Sequence, residues 1–145
     1  MTVKTETNFW KNVKRLLENG EEKYLISRIE SYVTPGFPDC IVFHKKLGFF
    51  TLELKIVQAN NKIRISPLQT AWNKWYAGYG APVFILAQSY PLNSPKAQGG
   101  SYVKLFSGAW AQDLRNKGID SVPGLYEGSL KDLDFLKLPN SSFNK

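Results

Sequence analysis

Residues 38–56 read PDCIVFHKKLGFFTLELKI, and this stretch decides the fold that we predict for the chain. Residues 40–43 indicate a short apolar strand, residues 44–48 a turn with two lysines, and residues 49–57 a second strand. The two strands should form a hairpin. Residues i and i+2 of a strand share a face, so Glu53 and Lys55 should project together. The hairpin would bring Asp39, at the start of the first strand, close to Glu53.

The segments around the hairpin predict an α/β domain, with a central mixed β-sheet flanked by helices. Before it we expect a helix at 8–19, capped by Thr5 or Thr7, and a strand at 24–33. After it, Ser66 and Pro67 should open a helix that runs to about Gly78. The remaining expectations are a loop at 58–64, a buried strand at 83–87, a loop at 91–100, a strand at 102–106, helices at 109–117 and 130–136, and a fraying end at 139–145.

Length and composition favour one domain in a cytoplasmic protein. The 145 residues are the size of one domain and are enough to close a single hydrophobic core. The single cysteine, Cys40, excludes an intrachain disulfide, and no apolar run is long enough to span a membrane. The formal charge of +7 favours a polyanionic partner such as DNA.

The residue types at the hairpin point to phosphodiester hydrolysis. Two carboxylates at one place, Asp39 and Glu53, form a hard-oxygen site for Mg²⁺ or Mn²⁺, with water and a substrate phosphate as the other ligands. Lys55 beside them could position the attacking water and stabilise the charge that develops on phosphorus. Taken singly, each of these three residues could be an ordinary solvated residue of a turn or strand. Their occurrence together favours catalysis.

The pair Pro38-Asp39, followed by Glu53-Leu54-Lys55, resembles the signature of the PD-(D/E)XK nucleases. Residues 34–39 and the run Ser66-Pro67-Leu68-Gln69 resemble the VRR-NUC branch, which is similar to Holliday-junction resolvases and is frequent in phages. The resemblance covers roughly residues 6–87 and implies a single nuclease domain at 1–145, with a core at about residues 6–90 and a C-terminal extension at about 91–145. It implies a restriction-endonuclease-like core and a metal-dependent DNA endonuclease.

The resemblance also implies two further site residues. An acidic residue from the first helix would complete the metal ligands; Glu6 matches best, and Glu18 is the alternative. Gln69, on the helix after the motif, would lie near the active site and contact the attacking water or the DNA backbone.

Several basic and aromatic residues could contact nucleic acid. A phosphate-binding rim could include Lys4, Lys11, Lys14, Arg15, Lys45, Lys46, Lys62 and Arg64, and the alternative is an ordinary solvated surface. We expect His44 to be exposed or to face DNA. Trp72, Trp75, Tyr76 and Tyr79 could stack on unpaired bases, but we favour the core or a subunit interface for the two tryptophans.

The sequence leaves three functional interpretations open. The substrate could be a branched junction, a flap or ordinary duplex, and a junction resolvase would require a two-fold homodimer. A second possibility is a non-catalytic nucleic-acid-binding module on a nuclease fold. A third is an interaction protein whose tryptophan and tyrosine patch binds a partner.

Overall fold

Three helices and six strands make up most of the part of the chain that the computed structural model describes, residues 3–29, 35–89 and 102–143. The helices are α1 (Val3–Asn19), α2 (Pro67–Gly78) and α3 (Ala111–Lys117). The strands are β1 (Leu25–Arg28), β2 (Cys40–His44), β3 (Gly48–Ile56), β4 (Val83–Ser89), β5 (Tyr102–Ser107) and β6 (Tyr126–Ser129). Short 3₁₀ turns connect the later elements.

The six strands form one mixed sheet, in which the spatial order β1-β2-β3-β4-β5-β6 follows the chain. The predicted hairpin is confirmed, because β2 pairs antiparallel with β3 from Cys40 opposite Leu52 to His44 opposite Gly48. Strands β3 and β4 are parallel, and α2 makes the crossover that a parallel connection requires. The other three pairs are antiparallel. The predicted α/β class with a mixed sheet flanked by helices is therefore confirmed.

Each face of the sheet buries its own apolar cluster. On one face, Phe9 and Val13 of α1 pack with Leu52, Phe84 and Leu105 of the sheet. On the other face, alternate residues of β4 and β5 pack with α3 and with the segment before α2. The members of this second cluster include Ile63, Ile65, Ile85, Ala87, Phe106 and Leu114. Because β4 is covered on both sides, all of its residues from Val83 to Ser89 are buried.

Helix α2 begins where the sequence predicts, and its first turn is held by a capping box. The Ser66 hydroxyl accepts from the Gln69 N–H, and the Gln69 side chain accepts from the Ser66 N–H. Pro67 occupies the first turn, where its missing N–H costs nothing. The helix ends at Gly78 as predicted.

Two predicted boundaries are wrong. Helix α1 begins at Val3 rather than near residue 8, so Thr5 and Thr7 lie within the helix and do not precede it. Threonine caps helices well, but it is also tolerated inside them, and its local preference does not fix the start. The strand predicted at 24–33 ends at Arg28 in the structure, and its residues 30–33 lie outside the described part, as does the loop predicted at 91–100.

The C-terminal segment also differs from the prediction. A continuous helix at 130–136 is replaced by separate 3₁₀ turns at Leu130–Asp132 and Phe135–Lys137, because Leu130, Phe135 and Leu138 all enter the core on the α1 face. The prediction that residues 139–145 fray is wrong as far as residue 143, since Phe143 is buried beside Phe50 and Phe84. Strand β6 was not predicted; it is a short edge strand containing Gly128, which has little strand propensity.

No helix in the described ranges is long and apolar enough to cross a membrane.

Phe135→Ala should lower the free energy of unfolding by about 3–5 kcal/mol, because it leaves a cavity in the core. The Phe135 ring is buried, with its centroid 4.8 Å from Phe50 and 5.9 Å from Tyr24. Urea unfolding measures the change. Lys137→Ala, at an exposed position of the same turn, is the control and should change stability by less than about 0.5 kcal/mol. Equal stability of the two variants would show that the C-terminal turns do not pack on the sheet.

Candidate active site

Asp39 and Glu53 meet where β2 begins. Cys40 pairs with Leu52, so the next step of the antiparallel register sets Asp39 opposite Glu53. The Leu54 N–H donates to Asp39 Oδ2 at 2.7 Å, which ties the aspartate side chain to β3. The Asp39 carbonyl accepts from the Ile29 N–H, also at 2.7 Å, which ties its backbone to the chain just after β1. Asp39 is therefore held in place by the chain on both sides of β2.

Gln69 links helix α2 to the charged residues of β3. Its Nε2 donates to Glu53 Oε1 at 3.0 Å, and its Oε1 accepts from Lys55 Nζ at 2.8 Å. The same Oε1 accepts from the Ser66 N–H of the capping box at 3.1 Å. Lys55 Nζ lies 3.6 Å from Glu53 Oε1. The structure thus brings Asp39, Glu53, Lys55 and Gln69 together, as the sequence led us to expect.

Glu53 is 0% exposed, although it is a carboxylate. Burial raises its pKa well above the usual range, and the neighbouring Asp39 carboxylate raises it further, while Lys55 acts in the opposite direction. Gln69 satisfies Oε1, but Oε2 is buried and has no hydrogen-bond partner among the described residues. The second oxygen of Glu53 therefore has no hydrogen-bond donor in the described part of the chain, and it belongs to a carboxylate that lies beside another, Asp39.

A divalent cation fits this arrangement. An orphaned carboxylate oxygen beside a second carboxylate is the hard-oxygen donor set that Mg²⁺ or Mn²⁺ prefers, and Mg²⁺ is commonly held by one or two carboxylates with water and phosphate. In the described ranges, no group of three or more His, Cys, Asp or Glu side chains is placed to bind a metal. The backbone of Glu6 lies in α1, but its side chain is outside the described part. Asp39 and Glu53 are the residues that could hold the ion.

The site opens into a cavity of about 260 Å³ at this end of the sheet. Its lining includes two arginines, Arg28 at the end of β1 and Arg64 before α2. The Arg28 guanidinium lies 5.6 Å from the centroid of the Trp10 ring, which also lines the cavity. Sequence analysis missed Arg28, Trp10 and Gln58. Arg28 reaches the site because it pairs with Cys40, the residue after Asp39, and no local pattern in the sequence signals this pairing.

The loop that carries Asp39 packs directly on α2. Gly36 has φ +90°, and a Cβ there would lie 2.5 Å from the Leu68 carbonyl oxygen, so only glycine fits without displacement. The next residue, Phe37, packs on Trp72 with ring centroids 5.5 Å apart. These contacts fix the distance between the loop and the helix that carries Gln69. Thr34, the first residue of the predicted motif, lies outside the described residues.

The structure gathers only part of the predicted basic rim at this cavity. Arg64 lines it, whereas Lys14 pairs with Glu18 at 2.6 Å on α1 and Arg15 bonds to Asn12. Glu18, the alternative acidic residue, is not among the residues that line the cavity. The other described residues of the predicted rim are exposed but do not line this cavity: Lys11, Lys45, Lys46 and Lys62. The Lys4 side chain lies outside the described part.

Lys45 and Lys46 are far from the site because of the hairpin itself. Strand β2 leads away from Asp39, and at about 3.3 Å per residue the turn lies roughly 20 Å from that aspartate. The prediction for His44 is wrong, because β2 extends through this residue and turns it inward. Its Nε2 lies 3.0 Å from Glu22 Oε2, and its Nδ1 accepts from the Lys46 N–H. The hydrogen bond between the His44 ring and the Glu22 carboxylate lowers the pKa of Glu22.

Comparisons of the chain with models of protein families, with curated proteins and with solved structures found no match.

In metal-free buffer, Glu53→Gln should make the protein more stable than wild type at neutral pH. The pKa of Glu53 is raised in the folded state, so above the usual value of 4.5 the unfolded chain releases a proton that the folded protein retains. The stability of wild type therefore falls relative to the variant as the pH rises, until the pH passes the raised folded pKa.

Urea unfolding across a pH series, with EDTA present, measures the difference. Glu21→Gln, at an exposed glutamate, is the control and should show little pH-dependent change relative to wild type. A gap between Glu53→Gln and wild type that stays constant down to about pH 4 would contradict the raised pKa.

Proposed function

We propose that the protein is a metal-dependent nuclease of the PD-(D/E)XK type that hydrolyses phosphodiester bonds in DNA. The observation that carries the proposal is the buried, unpartnered Oε2 of Glu53 beside Asp39, with Lys55 on the same strand face. Burying a carboxylate without a partner costs free energy, and a bound cation would offset that cost.

The arrangement of elements supports the same proposal. The order α1, β1, β2, β3, α2, β4, with an antiparallel hairpin followed by a parallel crossover, agrees with the restriction-endonuclease-like core that the motif resemblance implies. The carboxylates and Lys55 come from the hairpin, and Gln69 comes from the crossover helix. One continuous segment of chain therefore supplies the proposed catalytic groups.

The chain's own residues can hold the substrate and its water. When bound between Asp39 and Glu53, Mg²⁺ or Mn²⁺ supplies a concentrated positive charge that favours ionisation of water and offsets charge on the phosphate. One N–H of the Lys55 ammonium is used by Gln69, so others can donate to the attacking water or to a phosphate oxygen. Arg28 and Arg64 line the same cavity and would bind the flanking phosphates.

Hydrolysis then needs no covalent intermediate with the protein. The water oxygen bonds to phosphorus as the bond from phosphorus to the leaving sugar oxygen breaks. The attacking water loses one proton and the leaving oxygen gains one, so the products are a phosphomonoester end and a hydroxyl end. Lys55 lines the same cavity and would stabilise the charge that develops on the phosphate oxygens.

Asp39→Ala and Glu53→Ala should each abolish cleavage of labelled DNA in Mg²⁺ or Mn²⁺, with a loss of at least about 10²-fold, because each removes a proposed metal ligand. The assay compares a four-way junction, a flap, a single strand and a duplex, and thereby ranks the substrates. Glu21→Ala, at an exposed glutamate, should cleave as wild type does. Cleavage that persists in both site variants would refute the assignment; salt-sensitive binding without any cleavage would favour a non-catalytic binding module.

Mg²⁺ or Mn²⁺ should also raise the Tm of wild type, since a ligand at a hundred times its Kd stabilises the folded state by about 2.7 kcal/mol. Asp39→Asn should lose most of this shift, because it removes one of the two anionic ligands. Thermal unfolding with and without the metal measures both, and Glu21→Gln is the matched control. An equal shift in Asp39→Asn and wild type would place the cation elsewhere.

A further inference from the structure

Three aromatic side chains stand exposed along the C-terminal half of α2 and on the residue that caps it. Trp75, Tyr76 and Tyr79, here called the α2 aromatic patch, are 64%, 39% and 83% exposed. Their rings line a shallow apolar cleft of about 240 Å³. Exposed aromatic rings in such a group usually mark a binding surface.

Core packing accounts for Trp72 and for one face of Tyr76, but not for Trp75 and Tyr79. Trp72 is buried, with the Tyr76 ring stacked on it at 4.0 Å and Phe37 packed against it. Trp75 meets Tyr76 and Tyr79 edge to face instead, with interplanar angles of 69° and 72°. Trp75 is nevertheless 64% exposed, so much of its indole is accessible for another planar group to stack on.

Positive charge lies directly beside the open tryptophan. A groove of about 460 Å³ between α2 and α3 is lined by Trp75 together with Lys74 and Arg115. Both basic side chains are exposed, and the sequence of α2 contains no acidic residue. An aromatic face flanked by cations is the combination that binds bases and phosphates of unpaired nucleic acid.

The patch and the candidate active site lie on the same helix. Gln69 lies in the first turn of α2, and Trp75 is six residues farther along, a rise of about 9 Å at 1.5 Å per residue. Six residues also turn the side chain by about 120° around the helix, so a strand that leaves the cavity beside Gln69 would cross the helix surface to reach the tryptophan. Bases within a duplex already stack on one another, so an exposed indole favours bases that are unpaired.

We propose that the α2 aromatic patch binds an unpaired stretch of the nucleic-acid substrate, with a base stacked on Trp75 and phosphates held by Lys74 and Arg115. This inference rests on the proposed function, because it takes nucleic acid as the ligand of the neighbouring cavity. It adds a substrate class: nucleic acid with a single-stranded portion, such as a flap or an overhang. A second copy of this chain is a weaker occupant, since three aromatic side chains of about 150–250 Å² each, partly covered, fall short of the roughly 800 Å² per partner of a stable interface.

The test is equilibrium binding of a labelled single strand and of a blunt duplex of equal length, by fluorescence anisotropy at fixed salt with EDTA present. Trp75→Ala should lower the preference for the single strand over the duplex by about tenfold or more, whereas Trp75→Phe, which keeps a ring, should retain most of it. Lys74→Ala should reduce the slope of log affinity against log salt for the single strand by about 0.7. Phe49→Ala, at an exposed phenylalanine of the hairpin, is the matched control and should leave the preference unchanged.

An equal loss of preference in Trp75→Ala and Phe49→Ala, or no loss in either, would overturn the inference. So would a Trp75→Ala variant that binds the single strand like wild type but changes from dimer to monomer in sedimentation, which would make the patch a dimer interface. Because EDTA prevents any metal-dependent cleavage, Trp75-dependent binding would stand even if no substrate were cut. Conversely, cleavage that depends on Asp39 without Trp75-dependent binding would support the nuclease and remove this inference.

Discussion

The side-chain amide of Gln69 is the contact on which the geometry of the site depends. An amide donates and accepts at once, so Nε2 can satisfy the Glu53 carboxylate while Oε1 accepts from the Lys55 ammonium and from the Ser66 N–H. A glutamate at this position could still complete the capping box, but it would add a third carboxylate to the pair formed by Asp39 and Glu53. The Gln69 amide therefore both caps the start of α2 and holds the Lys55 ammonium in place. The loop that carries Asp39 packs on the same turn of α2, where Gly36 lies against Leu68.

The sequence predicted the parts of the fold that depend on local rules. The hairpin follows from alternating residues around a turn, the start of α2 from Ser66 and Pro67, and the buried β4 from its continuous apolar run. Because i and i+2 residues share a strand face, the neighbourhood of Glu53 and Lys55 was also predictable. The meeting of Asp39 with Glu53 required only the correct hairpin register, which the short turn determines.

Features that depend on distant parts of the chain were not predictable in this way. Arg28 reaches the cavity only because β1 pairs beside β2, and His44 is buried because Glu22, from the connection between α1 and β1, supplies a hydrogen-bond partner. The turns around Phe135 and Phe143 adopt irregular backbone to bury single rings under the sheet, and no helical periodicity signals that choice. A local sequence pattern predicts secondary structure well where the same pattern also determines which residues are buried. These residues are buried by contacts with distant parts of the chain, so the local pattern does not predict their structure.

The strand order of the sheet has a consequence for how the protein folds. Each strand pairs with its neighbours in sequence, and four of the five pairings are antiparallel steps that need no crossover. Loop-closure entropy grows with the length of chain between partners, so such pairings form with a small entropic cost. The parallel pairing of β3 with β4 is the exception, since it must wait for α2 to form and cross over. The pairing of β3 with β4, as of Thr51 with Val83, spans 32 residues, more than any other strand pairing in the described sheet, so its closure has the largest entropic cost, and it also brings Gln69 of α2 to the site.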